Sequence, residues 1–328
     1  MTRKTFSILL SAALVFTLLF MLAGCSGQTT NDQSTSATTD TSTTSTTPAD
    51  TSITLTDQTG STVTLDKPAT RVVALTASAC EIVYALGAGD TVVGRGEYCD
   101  WPAEAQSVTA VSSGTETNIE QILALQPDLV LMASMDQTAD QVQQIKDAGI
   151  QCYVSNANDI ASTYESIQQI GQLMGKTTEA QTIVDNMKQT FDKLSAKKLS
   201  GTVYFEVSPL EYGLWAAGNN TFMNEVAQMI GLTNIFSDLD GWAQISEEQV
   251  LQRNPDYIVT IGMYSGSGQT PEEEIMARPN WQDVTAVAKK QVLDLPNNEL
   301  SRPGPRLADG AQELYDFVAK SQGQSTQS

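Results

Sequence analysis

The chain has no histidine among its 328 residues, and that absence excludes more chemistry than any residue present establishes. Ser-His-Asp and Cys-His nucleophiles need an imidazole to take their proton. Histidine-ligated zinc, a facial iron triad and histidine-ligated haem fall with it. Cysteine is scarce: Cys25, Cys80, Cys99 and Cys152 contain no C-x-x-C pair that would suggest a zinc knuckle or a dithiol redox site. Positive charge is also short. Lys and Arg number 18 against 38 Asp and Glu, a net charge of −20, which argues against nucleic acid as a partner. Arginine is sparse too, so a cleft built for anions would have to draw on Arg95, Arg278, Arg302 and Arg306.

Only one long apolar run exists, Phe6 to Leu22, behind Arg3 and Lys4, and it has the form of a secretory leader spanning 1–24. It ends in Leu22-Ala23-Gly24-Cys25, which resembles a bacterial lipobox; Cys25 would then be the first mature residue, lipid-modified and anchoring the chain to the membrane. Residues 25–50 are almost entirely Ser, Thr, Gln, Asp and Ala and predict a disordered tether. Such a tether would reach roughly 25–30 Å on average. With Cys25 spent on lipid, Cys80, Cys99 and Cys152 form an odd set, and a Cys80–Cys99 disulfide is an open alternative in an exported protein.

Folded sequence begins near Ile53. ITLTDQTGSTVTL alternates around Gly60 and predicts a hairpin. Strand patterns at Val72–Leu75, Val92–Gly94, Leu129–Met132 and Gln151–Val154 then alternate with helical patterns, giving an α/β lobe over 51–160 with a mostly parallel sheet. From 161 to 198 the spacing is helical, with Ile167, Ile170, Leu173, Ile183, Met187 and Phe191 on one stripe and a break near Gly175. Alternation resumes over 199–320 with strands at Thr202–Val207, Tyr257–Ile261 and Gln291–Leu295, and a last helix from near Pro303 to Lys320. Residues 321–328 predict a flexible tail. The fold class expected is α/β, two Rossmann-like lobes joined by a single long helix, with a ligand cleft between them.

The halves echo one another. Glu120 opens EQILALQPDLV and Glu248 opens EQVLQRNPDYI; EIVYALGA at Glu81 pairs with EVAQMIGL at Glu225. Two matches in the same order suggest related lobes. Glu120 and Glu248 fall in the first turns of their helices, where a carboxylate gains from the dipole. They are equally suited to meet two basic sites on a symmetric partner.

The stretches RVVALTASACEIVYALGAGDTVVG, EYCDWPAEA, TNIEQILALQPDLV, GWAQISEEQVLQRNPD and SRPGPRL together resemble the substrate-binding proteins of ABC importers for vitamin B12, ferric siderophores and haem, nearest to the vitamin B12 branch. The resemblance implies a preformed inter-lobe cleft and a permease with ATPase subunits as partner, with Glu120 and Glu248 meeting permease arginines. It assigns Tyr98, Trp215 and Trp242 to the grip on a flat macrocycle, joined by Trp101 from the same loop and by Arg302 or Arg306 for a polar group of the ligand. Two further aromatic positions of that family fall on Gly114 and about Ala133, and an acidic one on Asn298, so its aromatic pocket is only partly reproduced.

A cobalamin-like corrinoid is the favoured ligand. A ferric siderophore or haem is the alternative, the latter through tyrosine ligation by Tyr98 or Tyr264. A surface-anchored enzyme is disfavoured, because Asp100 beside Cys99 would raise the pKa of the only thiol in a suggestive setting. No catalytic residue, metal site or cofactor is expected, and the protein is expected to be a monomer, lipid-anchored outside the membrane of a monoderm bacterium.

Overall fold

A computed structural model describes residues 51–324 apart from 114–115, 135–138, 209, 262–267 and 296–298. The leader, the tether and Cys25 lie outside the described residues, as do Gly114, Tyr264 and Asn298. Among the described residues no helix is long and apolar enough to cross a membrane.

The chain opens with the expected antiparallel hairpin, β1 (Ile53–Thr56) on β2 (Thr62–Leu65). Its turn is closed by the Asp57 carboxylate, which accepts from the backbone N–H of Thr59 and of Ser61, each at 2.9 Å. The first lobe follows as β3 (Val72–Ala74), α1 (Ala77–Ala85), β4 (Val92–Gly96), β5 (Ala110–Ser113), β6 (Glu116–Thr117), α2 (Ile119–Ala124), β7 (Leu129–Ala133), α3 (Ala139–Asp147) and β8 (Gln151–Ser155). The sheet order is β6-β5-β4-β3-β7-β8, parallel except at the β5–β6 edge. The strand order reverses beside β3, the arrangement that opens a crevice at the carboxyl ends of a doubly wound sheet.

The connecting stretch, expected as one long helix over 161–198 with a break near Gly175, is fully divided there. It is two helices, α4 (Ile160–Leu173) and α5 (Thr177–Ser195), folded against each other. The break falls at Gly175, whose φ of +67° lies in the left-handed region that favours glycine. Close packing of the pair needs a second glycine, since a Cβ on Gly171 would lie 2.4 Å from the Ala180 methyl.

The second lobe comprises β9 (Thr202–Glu206), β10 (Trp215–Ala217), α6 (Phe222–Ile230), β11 (Thr233–Asn234), β12 (Trp242–Gln244), α7 (Glu247–Arg253), β13 (Tyr257–Thr260), α8 (Pro271–Ala277), α9 (Thr285–Ala288), β14 (Val292–Asp294) and α10 (Leu307–Ser321). Its order is β12-β10-β9-β13-β14, with β11 also on β9. Here β10 is antiparallel to both neighbours. The last helix starts at Leu307 rather than near Pro303, because residues before proline avoid the helical region and SRPGPR holds two such positions.

Strand alternation sorts the core into layers. Val72, Ala74, Leu129, Leu131, Val203, Phe205 and Val259 face one continuous core that also takes in α4, α5 and α10. The intervening Val73, Val130 and Met132 face an outer core under α2 and α3, and Tyr204 and Ile258 face another under α7, α8 and α9. The inner core thus runs through both lobes.

Candidate functional site

The carboxyl ends of both sheets border a cavity of about 470 Å³. From the first lobe come Thr76, Ala77 and Ser78 after β3, Ala133 and Ser134 after β7, and Ser155 to Asn158 after β8. From the second come Val207 and Ser208 after β9, Trp215 on β10, Phe222 at the start of α6, Trp242 on β12 and Ile261 after β13. Ser301, Arg302 and Pro303 supply the rest.

The walls differ in chemistry. The second lobe contributes apolar area, with the Phe222 and Trp242 rings edge to face at 5.6 Å between centroids. Pairing of β10 with β12 sets Ala217 opposite Trp242 and Trp215 opposite Gln244, so the indoles come from adjacent strands. The first lobe contributes hydroxyls and amides held in place by one another. The Ser134 hydroxyl donates to Asn156 Oδ1 at 2.6 Å, and the Asn156 N–H donates to Gln58 Oε1 at 2.7 Å. Gln58, in the opening hairpin turn, also accepts from Ser155 and Ser166. Nothing in its local sequence marks it as a brace for this wall.

Among the described residues one charged side chain lines the cavity, and it is committed. Arg302 Nη1 donates to Glu81 Oε1 at 2.9 Å and to Asp100 Oδ1 at 2.6 Å. Burial alone would lower the Arg302 pKa, but the two carboxylates outweigh it and the pKa is raised. Arg306 turns to the same acid, donating to Glu81 Oε1 at 2.7 Å and Oε2 at 3.1 Å. Its guanidinium stacks 4.6 Å over the Trp101 ring, and Nη1 reaches Glu299 at 3.3 Å. Glu81 is 3% exposed, and sequence reasoning saw it only as a repeat position in an apolar helix. The signal lay in that setting: a carboxylate amid Ala79, Cys80, Ile82 and Val83 needs a buried cation.

The remaining cleft candidates are structural. Arg95 donates to the carbonyls of Val108, Gly96 and Glu97 and thereby ties down the GEYCDWP loop. Arg278 forms a two-pronged pair with Glu206, each bond 2.7 Å, also pairs with Glu274, and stacks on Trp281. Burial holds the Glu206 carboxyl above the usual range despite Arg278.

In the GEYCDWP loop, a Cβ on Gly96 would lie 2.1 Å from the Leu75 carbonyl oxygen, so only glycine lets the loop pass β3 this closely. Cys99 points inward, its thiol donating to the Ala74 and Thr76 carbonyls at 3.4 and 3.3 Å. Cys80, Cys99 and Cys152 are all free and buried. The hydrogen bond that the Cys80 thiol donates to Cys99, together with burial, pushes the Cys80 thiol up. Tyr98 is 52% exposed and Trp101 41% exposed, and neither is part of the cavity wall.

The structure gathers Trp215, Trp242 and Arg302 around one cavity, while Tyr98, Trp101 and Arg306 are not in its lining. Trp101 lies outside because its ring is covered by Arg306, and Arg306 because its guanidinium is drawn inward by Glu81. Phe222 and the hydroxyl and amide wall are additions. Ala133 also stands in the wall. Glu120 and Glu248 are exposed in the first turns of α2 and α7, capped by Asn118 and Ser246 respectively.

The periplasmic binding protein family model matches residues 72–299, and the chain belongs to that family. It is 34% identical over 78% of its length, and 82% of the relative's, to the uncharacterized ABC transporter substrate-binding lipoprotein YvrC of Bacillus subtilis. It is 28% identical to the vitamin B12-binding protein of Pectobacterium carotovorum, covering 78% of this chain and 91% of the relative. Among solved structures it resembles the periplasmic vitamin B12-binding protein BtuF of Vibrio cholerae, with a TM-score of 0.66, 26% identity, and 78% and 99% of the two chains covered.

Proposed function

We propose that the chain is the extracytoplasmic substrate-binding lipoprotein of an ABC importer, which captures a cobalamin-like corrinoid in the cavity and delivers it to the permease. The carrying observation is the division of the cavity into an indole and phenyl wall and a facing wall of hydroxyls and amides. A corrin offers a flat conjugated face to the first and a rim of amide groups to the second. Likeness to proteins named for vitamin B12 supports the same ligand. Haem is a poorer match, because the chain has no histidine to bind its iron. The cavity's hydroxyls hydrogen-bond a ligand in this reading and do no chemistry on it.

Glu120 and Glu248 would then meet basic residues of the permease, one from each lobe, and the ATPase subunits would drive release. Lipid on Cys25 would hold a monomer at the membrane, an anchor supported by the lipobox and by a relative named as a lipoprotein.

The test is to incubate the protein with cyanocobalamin, haem and a ferric siderophore, and to read tryptophan quenching and the absorption spectrum of each. Saturable quenching by cyanocobalamin at the lowest concentration supports the corrinoid reading. Preference for haem or the siderophore overturns it. Cys25→Ser should release the protein from membranes into the medium, and retention would remove the lipid anchor.

A further inference from the structure

The second lobe's aromatic wall sets what shape the cavity takes; a different part of the molecule sets what charge. Arg302, the single charged residue in the lining among the described residues, donates to Glu81 and to Asp100. The two carboxylates differ in setting. Glu81 is buried and shared with Arg306, so it belongs to the fold. Asp100 is 47% exposed at its side chain and carries no second ion pair among the described residues. It sits on the GEYCDWP loop, which Arg95 fixes through backbone carbonyls rather than through its charges.

The local balance is two guanidiniums, Arg302 and Arg306, against three carboxyl groups, Glu81, Asp100 and Glu299. Among the described residues no other Lys or Arg lines the cavity. Arg71 is spent on the Leu125 and Gln126 carbonyls, Arg253 on Asp238 and Arg278 on Glu206. The internal stretches outside the described residues contain no Lys or Arg.

We infer that Asp100 is the specificity-determining residue of this cavity: by occupying Arg302 it makes the site select uncharged or cationic ligands and reject anionic ones of the same shape. The inference rests on the reading of the cavity as a ligand site and deepens it. A carboxylate on the ligand would have to displace Asp100 from a 2.6 Å pair or enter beside it, against like charge. An amide accepts or donates at the hydroxyl wall without either cost. Asp100 acts through Arg302, so it is a positioning residue, and its removal should produce a gain.

The experiment uses two pairs of probes that differ in charge, one of corrins and one of ferric chelates. Dicyanocobinamide, with amide side chains, is compared with dicyanocobyrinic acid, the same ring bearing carboxylates. The cationic hydroxamate chelate ferrioxamine B is compared with the anionic catecholate chelate ferric enterobactin. Dissociation constants from tryptophan quenching are measured for the wild type, Asp100→Asn and Asp100→Glu.

In the wild type the anionic member of a pair that binds should be weaker than its mate. Asp100→Asn should improve the anionic member relative to its mate by about tenfold, the worth of one charged hydrogen bond made available. Asp100→Glu should restore the wild-type ratio, a rescue that a merely structural role would not show. Equal binding of both members by the wild type, or an unchanged ratio in Asp100→Asn, overturns the inference. Charge preference in the siderophore pair without binding of either corrin keeps the inference and overturns the corrinoid reading; binding of none of the four overturns both.

Discussion

The two lobes carry the same pair of sequence echoes, and the two echoes have fared differently. The Pro-Asp pair is conserved in role. Asp128 accepts from the Thr70 N–H and hydroxyl at 2.8 and 2.9 Å, and Asp256 accepts from the Thr202 N–H and hydroxyl, both at 2.9 Å. Each aspartate therefore pins the entry to the first strand of its own sheet. The glutamate pair has diverged. Both members reach across to the other half, but Glu225 accepts a single bond from the Ile160 N–H at 2.8 Å, whereas Glu81 takes Arg302 and Arg306 together. Positions that build a lobe have stayed alike, and positions that join lobes have specialised toward the cleft.

That contrast can be broken most severely at Glu81. Glu81→Gln strands two buried guanidiniums and should cost about 3–5 kcal/mol, against about 1 kcal/mol for Glu225→Gln, which keeps an acceptor. Urea denaturation of both variants measures the gap, and equal losses would mean the two glutamates are equivalent after all. Trp242→Ala tests the aromatic side of the cleft. It should weaken ligand binding by about tenfold or more, from the loss of roughly 1.5–3 kcal/mol of aromatic contact. Unchanged quenching titrations would remove Trp242 from the site.

Within the conserved pair, Asp128 should respond to acid. Burial pushes the Asp128 carboxyl up, but its bonds from Thr70 and Arg71 outweigh this and its pKa is lowered. A carboxyl with a lowered folded pKa contributes stability that is present above the unfolded value, near 3.9, and lost as pH falls through the folded one. Asp128→Asn should therefore flatten the decline of Tm below about pH 4, and an unaltered slope would count against the clasp. The smallest expected effect on the isolated protein is that of Glu120→Ala combined with Glu248→Ala, which should leave Tm and ligand affinity as they were while abolishing uptake in cells. Equal loss of binding and uptake would end the docking role.

Much of this was legible in the sequence, for identifiable reasons. Buried parallel strands such as LVLM and TVYFEV are continuous apolar runs, and the outer helices keep their periodicity, so both lobes could be read. What escaped was set by partners distant in sequence. Strands β10 and β12 are three residues each, and GLWAAG and GWAQ acquire strand character only by pairing with each other. Trp215 and Trp242 were singled out by the family likeness, but Phe222, Gln58 and the serine and asparagine wall carried no pattern. Arg302 and Arg306 look interchangeable in SRPGPRL; only Glu81, more than 200 residues earlier, decides that one lines the cavity and the other props the loop.

The α4–α5 pair bears on how such a molecule can move. α4 packs on α1 and β1, α5 packs on α6 and α10, and the two helices pack on each other. The halves are thus lapped together like overlapping planks rather than strung on a pivot, and the Gly171–Ala180 approach acts as a fastener within the overlap. Swinging the lobes apart would have to slide one helix along the other and prise that fastener. A joint of this build leaves the two halves little room to part.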